Sequence, residues 1–311
     1  MTSPDRAKVK TFNMRVFLTG GTGYVGAAVL DALVRGGHHV DALVRNSEGA
    51  ARVQARGAYP VLGDVMQAAS WADAAAGADG AIHAAAQYGP KARDFDAAAV
   101  ETLVKLPDKE GRFIIYTSGI WVLGPAPSPV DETAPLNPLE IVAWRPAQEK
   151  RVLDTAGRGV RAIVVRPGIV YGGSRGIVGD LLKDAANSLV RIVGPGDNHW
   201  PLIYDRDLGE LYARLVNTPA AEGVYHATDG GAETVNELVA ALADHAPTEP
   251  SIRHVPLAEA RKKMGPYADA LAVDQIVRSP RARALGWAPT LTSVAGNAAR
   301  LFEEWKRGKA A

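Results

Sequence analysis

The stretch Thr19-Gly20-Gly21-Thr22-Gly23-Tyr24-Val25-Gly26 constrains this chain more than any other feature. It follows the apolar run Arg15 to Leu18 and opens a segment rich in Ala and Leu, Val25 to Arg35. Gly21, Gly23 and Gly26 satisfy G-x-G-x-x-G, and Gly20, Gly23 and Gly26 equally satisfy G-x-x-G-x-x-G. Glycine at these places permits a tight turn and the close approach of a diphosphate. The unsatisfied N–H groups at a helix start supply donors and positive partial charge. Gly20, Thr22, Gly23, Tyr24, Val25 and Gly26 are therefore expected to hold a dinucleotide.

The surrounding pattern repeats the same unit. Apolar runs at Arg15 to Leu18, Val40 to Val44, Tyr59 to Leu62, Gly80 to Ala84, Phe113 to Thr117 and Ala162 to Arg166 read as strands. Helical readings fall between them at about Val25 to Arg35, Glu48 to Arg56, Ser70 to Ala76, Phe95 to Leu106 and Trp144 to Thr155. Strands alternating with helices predict an α/β fold with a doubly wound parallel Rossmann sheet. After Pro167 the rhythm loosens around Gly172-Gly173, Gly194-Pro195-Gly196 and Pro247 to Pro250. The expected division is a tail over 1–13, a dinucleotide-binding domain over 14–170, and a smaller, interleaved C-terminal substrate lobe over 171–308. Within that lobe about 205–228 is expected to return to the main sheet, through a helix near Asp207 to Val216 and a strand at Gly223 to His226.

Composition narrows the function classes. Of 311 residues 47% are hydrophobic and 22% charged, with a net charge of +1, which describes a chain able to bury a large core. Such a balance offers no polybasic footprint for nucleic acid. With no Cys there is no disulfide scaffold, thiolate nucleophile or cysteine-rich zinc site, which suits a cytoplasmic location. Seven His show no ligand spacing, so no metal is expected. No stretch reaches the ~20 apolar residues of a membrane span, and no membrane partner is expected. Met1 to Asn13 reads as a tail rather than a signal peptide, with Met14 an alternative start. The expected partner is a small-molecule substrate, and a homodimer stays open.

At the end of the second strand stand Val44-Arg45-Asn46-Ser47, with no carboxylate where an NAD-selective site often holds the ribose. Arg45 can pair with a 2′-phosphate and Ser47 can donate to it, so NADP(H) is preferred and NAD(H) is the alternative. Asp64 and Val65, after the third strand, are candidates for the adenine edge. An Asp in a turn also serves to cap the next helix.

The glycine loop resembles the extended short-chain dehydrogenase/reductase superfamily when taken with three further segments. These are His83-Ala84-Ala85-Ala86, Thr117-Ser118-Gly119 and Arg166-Pro167-Gly168-Ile169-Val170-Tyr171-Gly172. Ala284-Leu285-Gly286-Trp287-Ala288-Pro289 is similar to that group's closing segment. The resemblance runs from Met14 to about Trp305. It implies an NAD(P)-binding Rossmann sheet, a smaller lobe over a substrate cleft, and cofactor contacts from Ala84, Ala85, Ala86, Thr117, Pro167, Ile169 and Val170. Members include sugar-nucleotide epimerases, dehydratases and carbonyl reductases.

Typical members pair a Tyr with a Lys four residues later and add a Ser or Thr near the fifth strand. The phenol passes a proton, the ammonium lowers the phenol pKa and holds the ribose, and the hydroxyl fixes the substrate oxygen. None of the nine Tyr here has Lys at the fourth following position. Aligning Glu149 to Leu153 with the family's helix puts Ile141 in the Tyr place and Arg145 in the Lys place. Aligning Val122-Leu123-Gly124 puts Gly119 in the Ser/Thr place. Arg145 keeps a positive charge for the ribose but does not titrate near neutrality. The chain is thus similar to an atypical branch of the superfamily. Substitute donors are sought at the strand ends: Tyr88, Ser118 and Tyr171, with His199 and Tyr204 expected at the cleft roof.

Gly172-Gly173-Ser174-Arg175-Gly176 also matches the nucleophile elbow G-x-S-x-G, with Asp205 and His226 following in hydrolase order. Pro167-Gly168 breaks the direct strand-to-helix link that such an elbow needs, and Ser174 reads instead as a cap for a helix over Ile177 to Ala186. The leading expectation is an NADP(H)-dependent carbonyl reductase or alcohol dehydrogenase with a nonstandard proton donor. The alternatives are an epimerase or isomerase that retains its cofactor and a non-catalytic NAD(P)-binding sensor or partner protein.

Overall fold

The structure is a computed structural model that describes residues 13–310; apart from Asn13, the tail expected over 1–13 lies outside the described residues. Seven strands form the main sheet: β1 (Arg15–Thr19), β2 (His39–Val44), β3 (Tyr59–Leu62), β4 (Gly80–His83), β5 (Phe113–Thr117), β7 (Arg161–Pro167) and β11 (Gly223–Ala227). All pairings are parallel, in the order β11-β7-β5-β4-β1-β2-β3, so the winding reverses between β1 and β4. Doubly wound sheets place ligands at that switch, beyond the carboxyl ends of the strands. Three two-stranded ladders complete the strand set: β10 (Leu202–Tyr204) with β8 (Ile169–Tyr171), β12 (Ser251–Val255) with β9 (Leu189–Val193), and β13 (Gln275–Val277) with β6 (Ala126–Val130).

Helices cover both faces of the main sheet. On one side α1 (Tyr24–Arg35) and α7 (Asp205–Asn217) pack against it through Val29, Leu30, Leu33, Leu208, Leu211 and Leu215. Gly209 permits the close crossing, since a Cβ there would press on the Ala28 carbonyl. On the other side α3 (Ala72–Gly77), α4 (Ala92–Val104) and α5 (Arg145–Leu153) bury Ala75, Val100, Leu103 and Val152. The short α2 (Ser47–Gln54) starts from Asn46, whose side chain accepts from Gly49 N. Because central parallel strands are covered on both faces, they read as continuous apolar runs rather than alternating ones.

A second core joins α6 (Gly176–Ala186), α8 (Val235–Ala243) and α12 (Ala298–Ala310) to β8, β9 and β10. The remaining helices are α9 (Leu257–Met264), α10 (Tyr267–Ala272) and α11 (Pro280–Ala284). Between the two cores the chain crosses back: α7 and β11 belong to the main sheet although β8, β9 and β10 precede them. Among the described residues no helix is long and apolar enough to cross a membrane.

Two local expectations are corrected. The helix expected from Ser70 starts at Ala72, because the Ser70 hydroxyl donates to the Gln67 carbonyl and closes a 3-10 turn over Ala68–Ser70. Ser174 is not the cap of α6. Arg175 holds the N-cap position, and the Ser174 hydroxyl donates instead to the Gly308 carbonyl.

Candidate cofactor cleft and its neighbourhood

At the switch between β1 and β4 a cleft of about 750 Å³ opens over the carboxyl ends of the strands. Its floor is the glycine turn. Gly20 has φ +83°, a conformation that side-chain-bearing residues rarely adopt, and its carbonyl accepts from Gly23 N at 2.7 Å. A Cβ at Gly26 would overlap the Gly20 carbonyl oxygen, so the third glycine lets helix and turn touch. Gly23 caps α1 without any side-chain bond, and the first turn carries no acidic residue. The N–H groups of that turn are therefore free of intrahelical and capping acceptors.

The structure brings Gly20, Thr22, Gly23, Tyr24, Val25, Arg45, Asp64, Val65, Ala84, Ala85, Ala86 and Tyr88 together around this one cleft. Arg45 is exposed beyond β2 and makes no hydrogen bond or ion pair among the described residues. Asp64 turns inward to its own loop, where its carboxylate accepts from Met66 N at 2.8 Å. Tyr88 is 92% exposed, on the loop after β4, and its hydroxyl has no partner among the described residues.

Several expected site residues lie outside the cleft lining. Gly26 packs beneath the turn, as above. Ser47 is an exposed first residue of α2, and the capping role beside it belongs to Asn46. Pro167 ends β7 opposite Ala227, while Ile169 and Val170 pair with Leu202 and Ile203 in the second lobe. The Thr117 hydroxyl pairs with Tyr212 OH at 2.7 Å. Arg145 donates to the Thr117 carbonyl at 2.9 Å and stacks over Trp144, so its guanidinium serves the end of β5.

Two of the proposed proton donors are corrected. Ser118 is buried and donates its hydroxyl proton to Glu149, whose carboxylate is gripped by Arg166 through Nη2 at 2.5 Å and Nε at 3.1 and 3.2 Å. Tyr171 has no exposure, and its hydroxyl is directed to Asp229 Oδ2 (3.4 Å) and the Leu291 carbonyl (3.3 Å) inside the second lobe. Burial pushes its phenol far above the usual range and raises the Asp229 carboxyl to about 7. Neither group faces the cleft with a proton to give. The expected roof residues are committed too: Tyr204 is buried on Glu304, and His199 pairs with Asp274 at 2.8 Å. The hydrolase arrangement fails with them, since the Ser174 hydroxyl serves Gly308 and His226 is buried against the Arg278 carbonyl.

Beneath the cleft runs a buried polar chain. Thr19 Oγ1 pairs with His83 Nδ1 at 2.7 Å, and His83 Nε2 lies 3.5 Å from Asp96. Asp96 accepts from Tyr116 OH at 2.8 Å, and Arg145 reaches that same hydroxyl at 3.4 Å. It ties β1, β4, β5, α4 and α5 together below the ligand edge, with His83 Nε2 the one buried atom of the chain that lacks a hydrogen-bond partner among the described residues.

The lining also includes Leu43, Gly63, Gln87 and Phe95, which the motifs did not single out, and Val44, Arg175 and Gly176, which the sequence offered for other reasons than cofactor contact. Near the loop, Arg52 of α2 donates to the Thr22 carbonyl at 2.9 Å. Its signal in the sequence was a second basic residue seven positions beyond Arg45.

Comparisons with known proteins bear on the family and the fold. The profile of a family described as NAD(P)H-binding matches residues 20–188. A 4-hydroxy-2-methyl-3-oxo-4-farnesyl-3,4-dihydroquinoline-1-oxide ketoreductase of Stigmatella aurantiaca is 40% identical over 171 residues, 51% of each chain. Among solved structures, the UDP-glucose 4-epimerase of Thermus thermophilus with NAD superposes with a TM-score of 0.77 at 20% identity, over 94% of this chain and 99% of that one. The human epimerase family protein SDR39U1 with NADPH gives 0.71 at 20% identity, over 93% and 99%.

Proposed function

We propose that this chain, which belongs to the NAD(P)H-binding family, is an extended short-chain dehydrogenase/reductase acting as an NADP(H)-dependent carbonyl reductase or alcohol dehydrogenase. One observation carries the proposal: a single cleft joins an uncapped glycine turn at α1 to an unpartnered arginine beyond β2 and an unpartnered phenol beyond β4. When bound, the nicotinamide nucleotide supplies or accepts a hydride. Everything else falls to the chain itself. The first-turn N–H groups of α1 hold the diphosphate. Arg45 pairs with the 2′-phosphate, and Arg52, anchored on Thr22, adds positive charge on the same side. No carboxylate ends β2, which favours NADP(H) over NAD(H).

The proton is assigned to Tyr88. Ser118 and Tyr171 spend their hydroxyls on internal acceptors, whereas Tyr88 lines the cleft and is free to meet a substrate oxygen. The ketoreductase name borne by the Stigmatella relative supports a carbonyl as the reacting group, in a small-molecule substrate. Purified protein incubated with NADPH and a panel of ketones and aldehydes, followed by nicotinamide absorbance, tests the proposal. Net NADPH consumption with at least one carbonyl class, faster than with NADH, is expected. Substrate conversion with no net NADPH loss would instead identify an epimerase. Binding without turnover across the panel would identify a non-catalytic nucleotide-binding protein.

A further inference from the structure

All but two residues of the cleft lining come from the sheet and its first helices; Arg175 and Gly176 come from the second lobe, at the start of α6. The place of Arg175 is set by Tyr24, the residue that opens α1. Tyr24 OH donates to the Gly172 carbonyl at 2.7 Å, and a Cβ at Gly176 would lie 2.9 Å from Tyr24 Cε1. The 172–176 turn is thus laid against the aromatic ring that follows the glycine turn. Burial pushes the Tyr24 phenol well above its usual range, and the Arg175 charge works against that rise.

The guanidinium is also uncommitted. Among the described residues it makes no hydrogen bond or ion pair, and it does not cap its own helix. Arginines nearby are occupied: Arg52 on Thr22, Arg145 on Thr117 and Arg166 on Glu149. Asp205, whose carboxylate also acts on the Tyr24 phenol, accepts from Arg206 N at 2.7 Å. Arg45, the other unpartnered cation of the cleft, stands beyond β2 at the adenosine end. A free cation lining a cleft beside uncapped N–H groups is suited to an anion held between them.

We infer that Arg175 binds the cofactor's diphosphate from the second lobe, opposite the α1 turn, so that the nucleotide is clamped between the two lobes. This inference rests on the cleft being the pyridine-nucleotide site. It divides the work of the two free arginines: Arg175 serves the diphosphate common to all such nucleotides, and Arg45 serves the 2′-phosphate alone.

Calorimetric titration of NADPH, NADH and ADP-ribose into wild type, Arg175→Ala, Arg175→Lys and Arg45→Ala tests it. Arg175→Ala is expected to weaken all three by a similar factor, about 10- to 100-fold for a charge-assisted contact. Arg175→Lys should recover part of that loss, and Arg45→Ala should weaken NADPH alone. Arg175 is exposed and unpartnered, so unchanged thermal melting of the variants is the control for folding. The inference is overturned if Arg175→Ala binds ADP-ribose as wild type does, or if it loses affinity for NADPH only. Should wild type take up none of the three, the nucleotide site itself is refuted; unchanged binding by the variant refutes only the role of Arg175.

Discussion

The loops after β1, β2 and β4 and the ends of β5 and β7 are neighbours along one edge of the sheet, yet they treat polar side chains in opposite ways. In the first region Arg45 and Tyr88 line a cleft with no internal partner among the described residues, and Arg175 of the second lobe faces the same cleft. In the second, Ser118, Glu149 and Arg166 form a closed buried cluster, the half-buried Thr117 pairs with Tyr212, and the half-buried Arg145 donates through Nη1 to the Thr117 carbonyl. Unpartnered groups facing a cleft are available to a ligand, while fully partnered buried groups hold the backbone in place. On the function proposed above, ligand binding and proton delivery fall to the β1–β4 side, and the β5–β7 side supplies rigid support.

Five substitutions or conditions separate those roles. The largest effect is expected from Tyr88→Phe, which removes the proposed donor: the turnover rate falls about 10²- to 10⁴-fold with melting unchanged. A Tyr88→Phe enzyme as fast as wild type would move the proton to another group. Glu149→Ala should do the reverse. It strands the buried Arg166 charge and costs about 3–5 kcal/mol of stability in denaturant titration, as expected when one member of a buried pair is removed. A stable Glu149→Ala protein with lost catalysis would transfer that cluster to the chemistry.

Gly26→Ala is expected to cost about 1–3 kcal/mol, because its methyl group forces helix and turn apart, and to weaken NADPH uptake at the same time. Arg45→Ala should lower the preference for NADPH over NADH about tenfold, the value of one modest charge-assisted contact. An unchanged ratio would remove Arg45 from the 2′-phosphate.

The last test is a pH slope, in which two buried groups oppose each other. Burial raises the Asp229 carboxyl from 3.8 to about 7, so the folded chain keeps a proton that the unfolded chain releases, and this contribution to stability is lost as pH rises from about 4 to 7. His226 works in the other direction. Burial and then the Arg166 charge lower it from 6.5 to about 4, so its contribution is lost as pH falls through that window. Asp229→Asn removes the first slope and keeps the second. Melting temperature should then rise more steeply with pH between about 4 and 7 than in wild type, and an equal or shallower rise would contradict the assignment.

What was legible in the sequence follows the same division between local and distant interactions. The central strands of the main sheet were readable as apolar runs because helices bury them on both faces, and the glycine turn because its spacing is contained within eight residues. The second lobe gave little signal. Four of the five residues of β12 are exposed, β13 has three residues, and their partners β9 and β6 lie far away in the chain. Ser118 and Tyr171 looked like donors because their commitments depend on Glu149 and Asp229, 31 and 58 positions away, which no local pattern reveals. Arg175 was visible within the G-x-S-x-G match, but its place in the cleft depends on Tyr24, from the other end of the fold.

Calorimetric titration of NADPH into the folded wild-type chain addresses the cleft most directly. One nucleotide per chain is expected, bound in the micromolar range or tighter, with weaker uptake of NADH. Folded protein that takes up neither nucleotide would contradict the assignment of the glycine turn and Arg45 to a pyridine-nucleotide site.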